Sequence, residues 1–158
     1  MRNAIEEIVI RHEAITSFAA TELIRALNAE LSERYPEPGA NHFRLDPEEV
    51  APGRGAFLVA YRGPTPVACG AIRLLKRGTA EVKRMYVSPA SRGSRLGRRI
   101  LDALEEEARR LGARELVLET GDRQAEALAL YARAGFSRIE PFGEYETSPL
   151  SVCMRKAL

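Results

Sequence analysis

The sequence predicts a mixed α/β domain in which helices flank a mostly antiparallel central sheet. Three observations carry this. Strand-like runs and amphipathic helices follow one another through 158 residues in the order β, α, three strands, α, β, α, β, β. The breaks at residues 62 to 65 and 77 to 78 are short and turn-rich, so residues 56 to 87 read as an antiparallel meander. The helix at about 95 to 111 stands between two strands, and that connection makes one parallel crossover.

Each element has its own signal. Residues 5 to 11 are β-branched and apolar enough for a first strand. Residues 17 to about 33 place Phe18, Leu23, Ile24, Leu27 and Leu31 at helical spacing, with Ser17 or Thr16 as cap. Residues 35 to 55 hold Pro36, Pro38, Gly39, Pro47, Pro52, Gly53 and Gly55 and read as a loop with a short helix opened by Asp46 and Pro47. This loop is a candidate for the substrate side, against a plain connector. Strands follow at 56 to 62, 66 to 75 and 79 to 87. The helix after them buries Leu96, Ile100, Leu101, Leu104, Ala108 and Leu111, keeps the pairs Glu105 with Arg109 and Glu106 with Arg110 outside, and ends at Gly112. Leu116, Val117 and Leu118 mark a strongly apolar strand at 114 to 120; Asp122 is the expected cap of a helix ending at Gly135. Strand-like stretches near 136 to 140 and 149 to 156 complete the chain.

Composition narrows the function classes. A hydrophobic fraction of 45% and a charged fraction of 29% describe one soluble globular domain over residues 1 to 158, expected in the cytoplasm. A formal charge of +2 is too small for a nucleic-acid binder, and the six Lys and Arg between residues 83 and 99 have few aromatic neighbours for stacking. No run is long and apolar enough to span a bilayer, so no membrane partner is expected. Cys69 and Cys153 sit in apolar strands as expected buried thiols, and with His12 and His42 they form neither a metal-ligand pattern nor a nucleophilic one.

The most informative segment is TAEVKRMYVSPASRGSRLG, residues 79 to 97, a strand that ends in a Gly- and Arg-rich loop at a helix N-terminus. Unpaired helical N–H groups and the positive end of the helix dipole bind an anion there by main chain alone. Gly93 and Gly97 permit close approach, and Arg92, Arg95, Arg98 and Arg99 add positive charge. No Lys followed by Ser or Thr closes a P-loop, and Arg95 stands where a Rossmann fingerprint would need glycine.

Arg92, Gly93, Ser94, Arg95, Leu96 and Gly97 resemble the acetyl-CoA signature of the Gcn5-related N-acetyltransferase superfamily, GNAT, with Arg95 in place of the central glycine. KRMYVSP at 83 to 89 and ALALYARAGF at 127 to 136 resemble flanking motifs of that superfamily. LETGDRQ at 118 to 124 and PFGEY at 141 to 145 resemble a bacterial, small-molecule-type branch. The resemblance covers about residues 56 to 156 and implies the superfamily's mixed sheet, splayed beside the acetyl-CoA site.

The resemblance also implies roles. Main chain at Tyr86 and Val87 would bond the pantetheine arm, and the N–H groups of residues 92 to 97 would hold the pyrophosphate with help from Arg92 and Arg95. Arg98 or Arg99 is a candidate for the 3′-phosphate, against a solvated helix face, and Gln124 falls where the family often has a cofactor-contacting asparagine. An acceptor amine must be neutral to attack, yet a lysine-like amine has a pKa of ~10.4 and an α-amine ~7.8. Glu81 occupies the strand position that supplies the general base in some members, directly or through water; the alternative is a strand carboxylate paired with Lys83, Arg84 or Arg73. Tyr131 matches the tyrosine that protonates the leaving CoA thiolate, against a tyrosine packed in the core. The implied activity is direct acetyl transfer from acetyl-CoA to the primary amine of a small molecule, with CoA as product. A peptide acetyltransferase and a non-catalytic acetyl-CoA-binding module are the alternatives. Arg73, Arg84 and residues 142 to 145 are placed for a small acceptor cleft, where an arginine would favour a carboxylated amine. Exposed strand edges admit a homodimer.

Overall fold

The computed structural model describes residues 7–40 and 43–158; the first two residues of the expected opening strand, and His42, lie outside them. Its described elements are β1 (Ile8–His12), α1 (Phe18–Arg34), β2 (Gly55–Arg62), β3 (Thr65–Lys76), β4 (Thr79–Val87), α2 (Leu96–Arg110), β5 (Glu115–Gly121), α3 (Ala125–Arg133), β6 (Ser137–Ile139) and β7 (Ser151–Ala157). Seven strands form one sheet in the order β1-β2-β3-β4-β5-β7-β6. Among the described residues only the β4 and β5 ladder is parallel, as the crossover through α2 requires.

Period-two alternation decides which face each strand residue joins. Phe57, Val59, Cys69 and Ala71 pack beneath Ala20, Leu23 and Leu27 of α1. Leu58, Ala60, Ala68 and Ile72 pack on the other face against Ile100, Leu101 and Leu104 of α2. The sheet is therefore a middle layer with α1 on one side and α2 and α3 on the other.

The local expectations are met in part. Ser17 does cap α1, its hydroxyl accepting from the Ala20 N–H at 3.1 Å. Asp122, by contrast, does not cap α3; Gln124 occupies the N-cap position, with no side-chain cap bond. Of the α2 pairs, Glu105 with Arg109 is present at 3.8 Å, but Glu105 is buried and also accepts from Lys156 of β7; Arg109 lies closer to Glu106, at 2.8 Å, and Arg110 pairs with Glu107 at 2.7 Å instead of Glu106. Closure of β7 against the sheet places a cation over Glu105, a tertiary effect that i,i+4 spacing does not contain.

Candidate active site

The site begins where the sheet opens. β4 and β5 face one another from Thr79 with Glu115 only as far as Val82 with Leu118, although β4 runs to Val87 and β5 to Gly121. Beyond that rung, the edge of β4 toward β5 has no strand partner among the described residues, which is the splay expected from the resemblance. Its cause is a bulge on the opposite edge: β3 pairs Ala71 with Lys83 but Cys69 with Tyr86, so the single residue Gly70 opposes both Arg84 and Met85. Arg84 takes φ 57°, a left-handed conformation uncommon for a side-chain-bearing residue. Val82 and Tyr86, four residues apart, consequently join opposite faces of the sheet. Gly70 suits this crossing because an added Cβ would lie 2.8 Å from Met85 Sδ and 2.8 Å from Ile100 Cγ2.

At the end of β4 the chain passes through a 3-10 turn at Pro89–Ser91 into the loop before α2. Gly93 has φ 84° and Arg95 φ 60°, ψ 18°, so Arg95 adopts the left-handed conformation for which glycine is the ordinary residue. The loop therefore keeps its shape with an arginine in it, at a local cost of roughly 1–3 kcal/mol. Leu96 is buried in the core and anchors the first turn of α2, whose leading N–H groups lack intrahelical acceptors. At Gly97 an added Cβ would sit 3.3 Å from Leu130 Cδ2 and 3.6 Å from Val87 Cγ2, so its bareness serves close packing of α2 on α3 and β4. The Ser94 hydroxyl donates to the Ser91 carbonyl at 2.5 Å and closes the loop on itself.

The arginines divide into two kinds. Arg92 is a strut: its Nε donates to the Val87 carbonyl at 2.9 Å, its Nη2 to Glu30 Oε2 of α1 at 2.8 Å, and its guanidinium lies 5.8 Å from the Tyr86 ring. Arg98 is held along α2 by Asp102 at 3.0 Å and reaches the Arg133 carbonyl at 3.5 Å. Arg95 and Arg99 are exposed at the mouth of the loop.

A cleft occupies the space between α1, the chain at residue 43, β4, β5 and α3, and is lined by Phe43, Arg84, Glu119, Gln124, Tyr131 and Tyr145 among others. Tyr131 is buried, packs edge-to-face on Phe136 at 5.8 Å between centroids, and has its phenol pKa raised by burial and by the Glu119 charge. Gln124 reaches the cleft from the N-cap of α3, in the same wall as Tyr131.

Glu81 takes the ion pair with Arg73 that stood as the alternative to a base role. It is fully buried, and both carboxylate oxygens are engaged: Oε1 by Arg73 Nε at 2.9 Å and Nη2 at 2.8 Å, Oε2 by the Tyr145 hydroxyl at 2.6 Å. Arg73 also bonds Glu49, so a triad with Glu81 buried at its inner end and Arg73 and Glu49 partly exposed ties β3, β4 and the 3-10 turn at Pro47–Val50. Glu119, which the sequence reading did not single out, is the carboxylate lining the cleft. Its pKa is pushed up to about 7, first by burial and further by Glu81, against one hydrogen bond from Ser151 Oγ at 3.0 Å. Its place inside LETGDRQ was the available signal; its environment comes from three strands and was not readable. Cys69, by contrast, is buried and pushed up to about 12, unsuited to nucleophilic work.

Comparison with known proteins agrees with this frame. The chain belongs to the acetyltransferase (GNAT) family, whose model matches residues 20–136. A relative from Azospirillum brasilense named IAA acetyltransferase is 43% identical over 152 residues, 96% of this chain and 98% of that protein. The crystal structure of a proposed acyl-CoA N-acyltransferase from Klebsiella pneumoniae subsp. pneumoniae matches with TM-score 0.81 and 36% identity, over 96% of this chain and 97% of that one. A GNAT family acetyltransferase from Elizabethkingia anophelis, solved with acetyl-CoA bound, shares the fold with TM-score 0.67 at 17% identity, over 96% and 98% of the two chains. The protein is thus an acyltransferase that uses acetyl-CoA as acetyl donor. Among the described residues no helix is long and apolar enough to cross a membrane.

Proposed function

We propose that this protein transfers the acetyl group of acetyl-CoA directly to the primary amine of a small molecule within a ternary complex. The observation that carries the reading is the gap between β4 and β5, with unpaired β4 main chain on one wall and Glu119, Gln124 and Tyr131 on the other. The name of the Azospirillum brasilense relative supports a small acceptor.

In this reading the N–H groups of residues 92 to 97 take the pyrophosphate, with Arg95 adding charge and Arg92 holding the loop in place. Main chain at Tyr86 and Val87 lies along the pantetheine path, and main-chain N–H at the bulge polarises the thioester carbonyl. Glu119 accepts the amine proton, having both access to the cleft and a pKa of about 7, near the optimum for a base at neutral pH. Glu81 fixes Tyr145 and Arg73 behind it. The Tyr131 hydroxyl donates to the departing thiolate and, as phenolate, recovers the second proton that the acylated nitrogen sheds: the nitrogen–carbon bond forms, the carbon–sulfur bond breaks, and the ammonium proton held by Glu119 passes to solvent, with no enzyme-bound acetyl group.

Steady-state thiol release at varied acetyl-CoA and amine tests the reading. Intersecting double-reciprocal lines are expected; parallel lines would mean a covalent acetyl-enzyme and would overturn direct transfer.

A further inference from the structure

The acceptor end of the cleft carries a charge imbalance that the transfer itself does not use. Arg73 is spent on Glu81 and Glu49. Lys83 and Arg84, the next two cations on β4, also line the cleft, yet neither forms an ion pair with a carboxylate among the described residues. Lys83 Nζ donates to the Arg44 carbonyl at 2.7 Å and Arg84 Nη2 to the Phe43 carbonyl at 2.7 Å. An ammonium has three donors and a guanidinium five, so each retains donors for another acceptor. Lys83 is only 6% exposed, and burial pulls the pKa of both groups down, opposed in part by the more distant charges of Glu81 and Glu144. Two desolvated cations satisfied by neutral carbonyls are poorly compensated, and an anion arriving beside them gains a charge-assisted hydrogen bond.

Resting on the acetyltransferase reading above, we propose that the acceptor is an amine that also carries a carboxylate, bound with its carboxylate on Arg84 and Lys83 and its amine toward Glu119. The bulge is what makes this arrangement: the left-handed turn at Arg84 interrupts strand alternation, so consecutive residues 83 and 84 both reach one cleft. The same two donors fasten the chain at residues 43 and 44, which brings the Phe43 ring edge-to-face with Tyr145 at 4.8 Å. The carboxylate thus meets cations, while the body of the acceptor meets an aromatic wall.

Matched pairs of acid and amide test this: phenylalanine with phenylalaninamide, glycine with glycinamide, and β-alanine with its amide, each followed by CoA release. The amide's amine loses its proton more readily, so amine acidity works against the expected result. At least one acid is expected to exceed its amide in kcat/KM by 10-fold or more, and Arg84→Gln to remove most of that preference while Arg84→Lys keeps part of it. Calorimetric titration with acetyl-CoA checks that each variant is folded, and Lys83→Gln provides a second route if Arg84→Gln is not. Turnover of amides as fast as acids, or a preference unchanged in both variants, overturns the carboxylate site and leaves the acetyltransferase reading standing. Acetyl-CoA binding with no CoA release from any amine overturns that reading, and this proposal with it.

Discussion

Val82 and Leu118 are the last residues to face each other across β4 and β5, and every proposed chemical group lies just beyond that rung. A parallel ladder that stopped later would fill the cleft with its own hydrogen bonds. The bulge opposite Gly70 therefore does two things, opening main chain toward β5 and turning Arg84 into the cleft.

The separation of roles between Glu119 and Glu81 is tested by parallel substitutions. Glu119→Gln is expected to lower kcat by about 10²–10⁴-fold, the usual range for a lost general base. Glu81→Gln, which keeps hydrogen-bonding atoms for Arg73 and Tyr145, is expected to cost much less. Turnover measured at saturating acetyl-CoA decides it; the reverse order would make Glu81 the base.

The pH dependence follows from the same group. Because Glu119 must be ionised to accept a proton, the rate is expected to rise as pH passes through about 7, and that limb should disappear in Glu119→Gln. Stability should move the opposite way. A carboxyl whose folded pKa is raised from 4.5 to about 7 binds its proton more tightly when folded, so stability falls as pH rises between those values. Relative to Glu119→Gln, the loss amounts to about 3 kcal/mol at most, from 1.36 kcal/mol per unit. Urea denaturation of both proteins at pH 4.5 and pH 8 measures it.

Arg95→Gly should raise stability by up to about 1 kcal/mol, since glycine adopts φ 60° without the side-chain penalty that arginine meets. Arg95→Val should lower it, a β-branched residue being poorly suited to that conformation. Thermal unfolding gives the order. Acetyl-CoA titration of Arg95→Gly should show weaker binding, reduced by the loss of one cation at the loop; unchanged affinity would mean that Arg95 contributes conformation alone.

Tyr131→Phe removes one hydroxyl from a ring that is otherwise packed on Phe136. The fold and the acetyl-CoA affinity should persist while kcat falls by about 10²-fold. A fall in affinity with kcat intact would assign the tyrosine to binding.

Arg73→Ala leaves Glu81 buried without its guanidinium and is expected to destabilise by about 3–5 kcal/mol, the cost of an uncompensated buried charge. Guanidinium denaturation compared with wild type checks this, and a change below about 1 kcal/mol would mean that water or another cation reaches Glu81.

Much of the frame was readable because periodicity and turn chemistry are local. The helix and strand runs, the cap at Ser17 and the Asp46 and Pro47 turn all follow from neighbours in sequence. The Gly- and Arg-rich loop leading into α2 was readable for the same reason. What sequence left open depends on distant partners: Arg73 chooses Glu81 and Glu49 over solvent, and Arg92 becomes a strut because Glu30 of α1 lies within reach. The high pKa of Glu119 arises from burial, with the Glu81 charge adding to it, and neither is written in the residues beside Glu119. Arg95 could be read as a departure from a motif, but only backbone dihedrals show that it occupies the glycine conformation.

Direct transfer is tested most plainly with acetyl-CoA labelled with carbon-13 in its acetyl group, incubated with wild-type protein and the amine panel and followed by mass spectrometry. The account expects label on the acceptor nitrogen in a one-to-one ratio with free CoA and none on the protein. Label retained on the protein, or acetyl-CoA bound without any label moving, would contradict it.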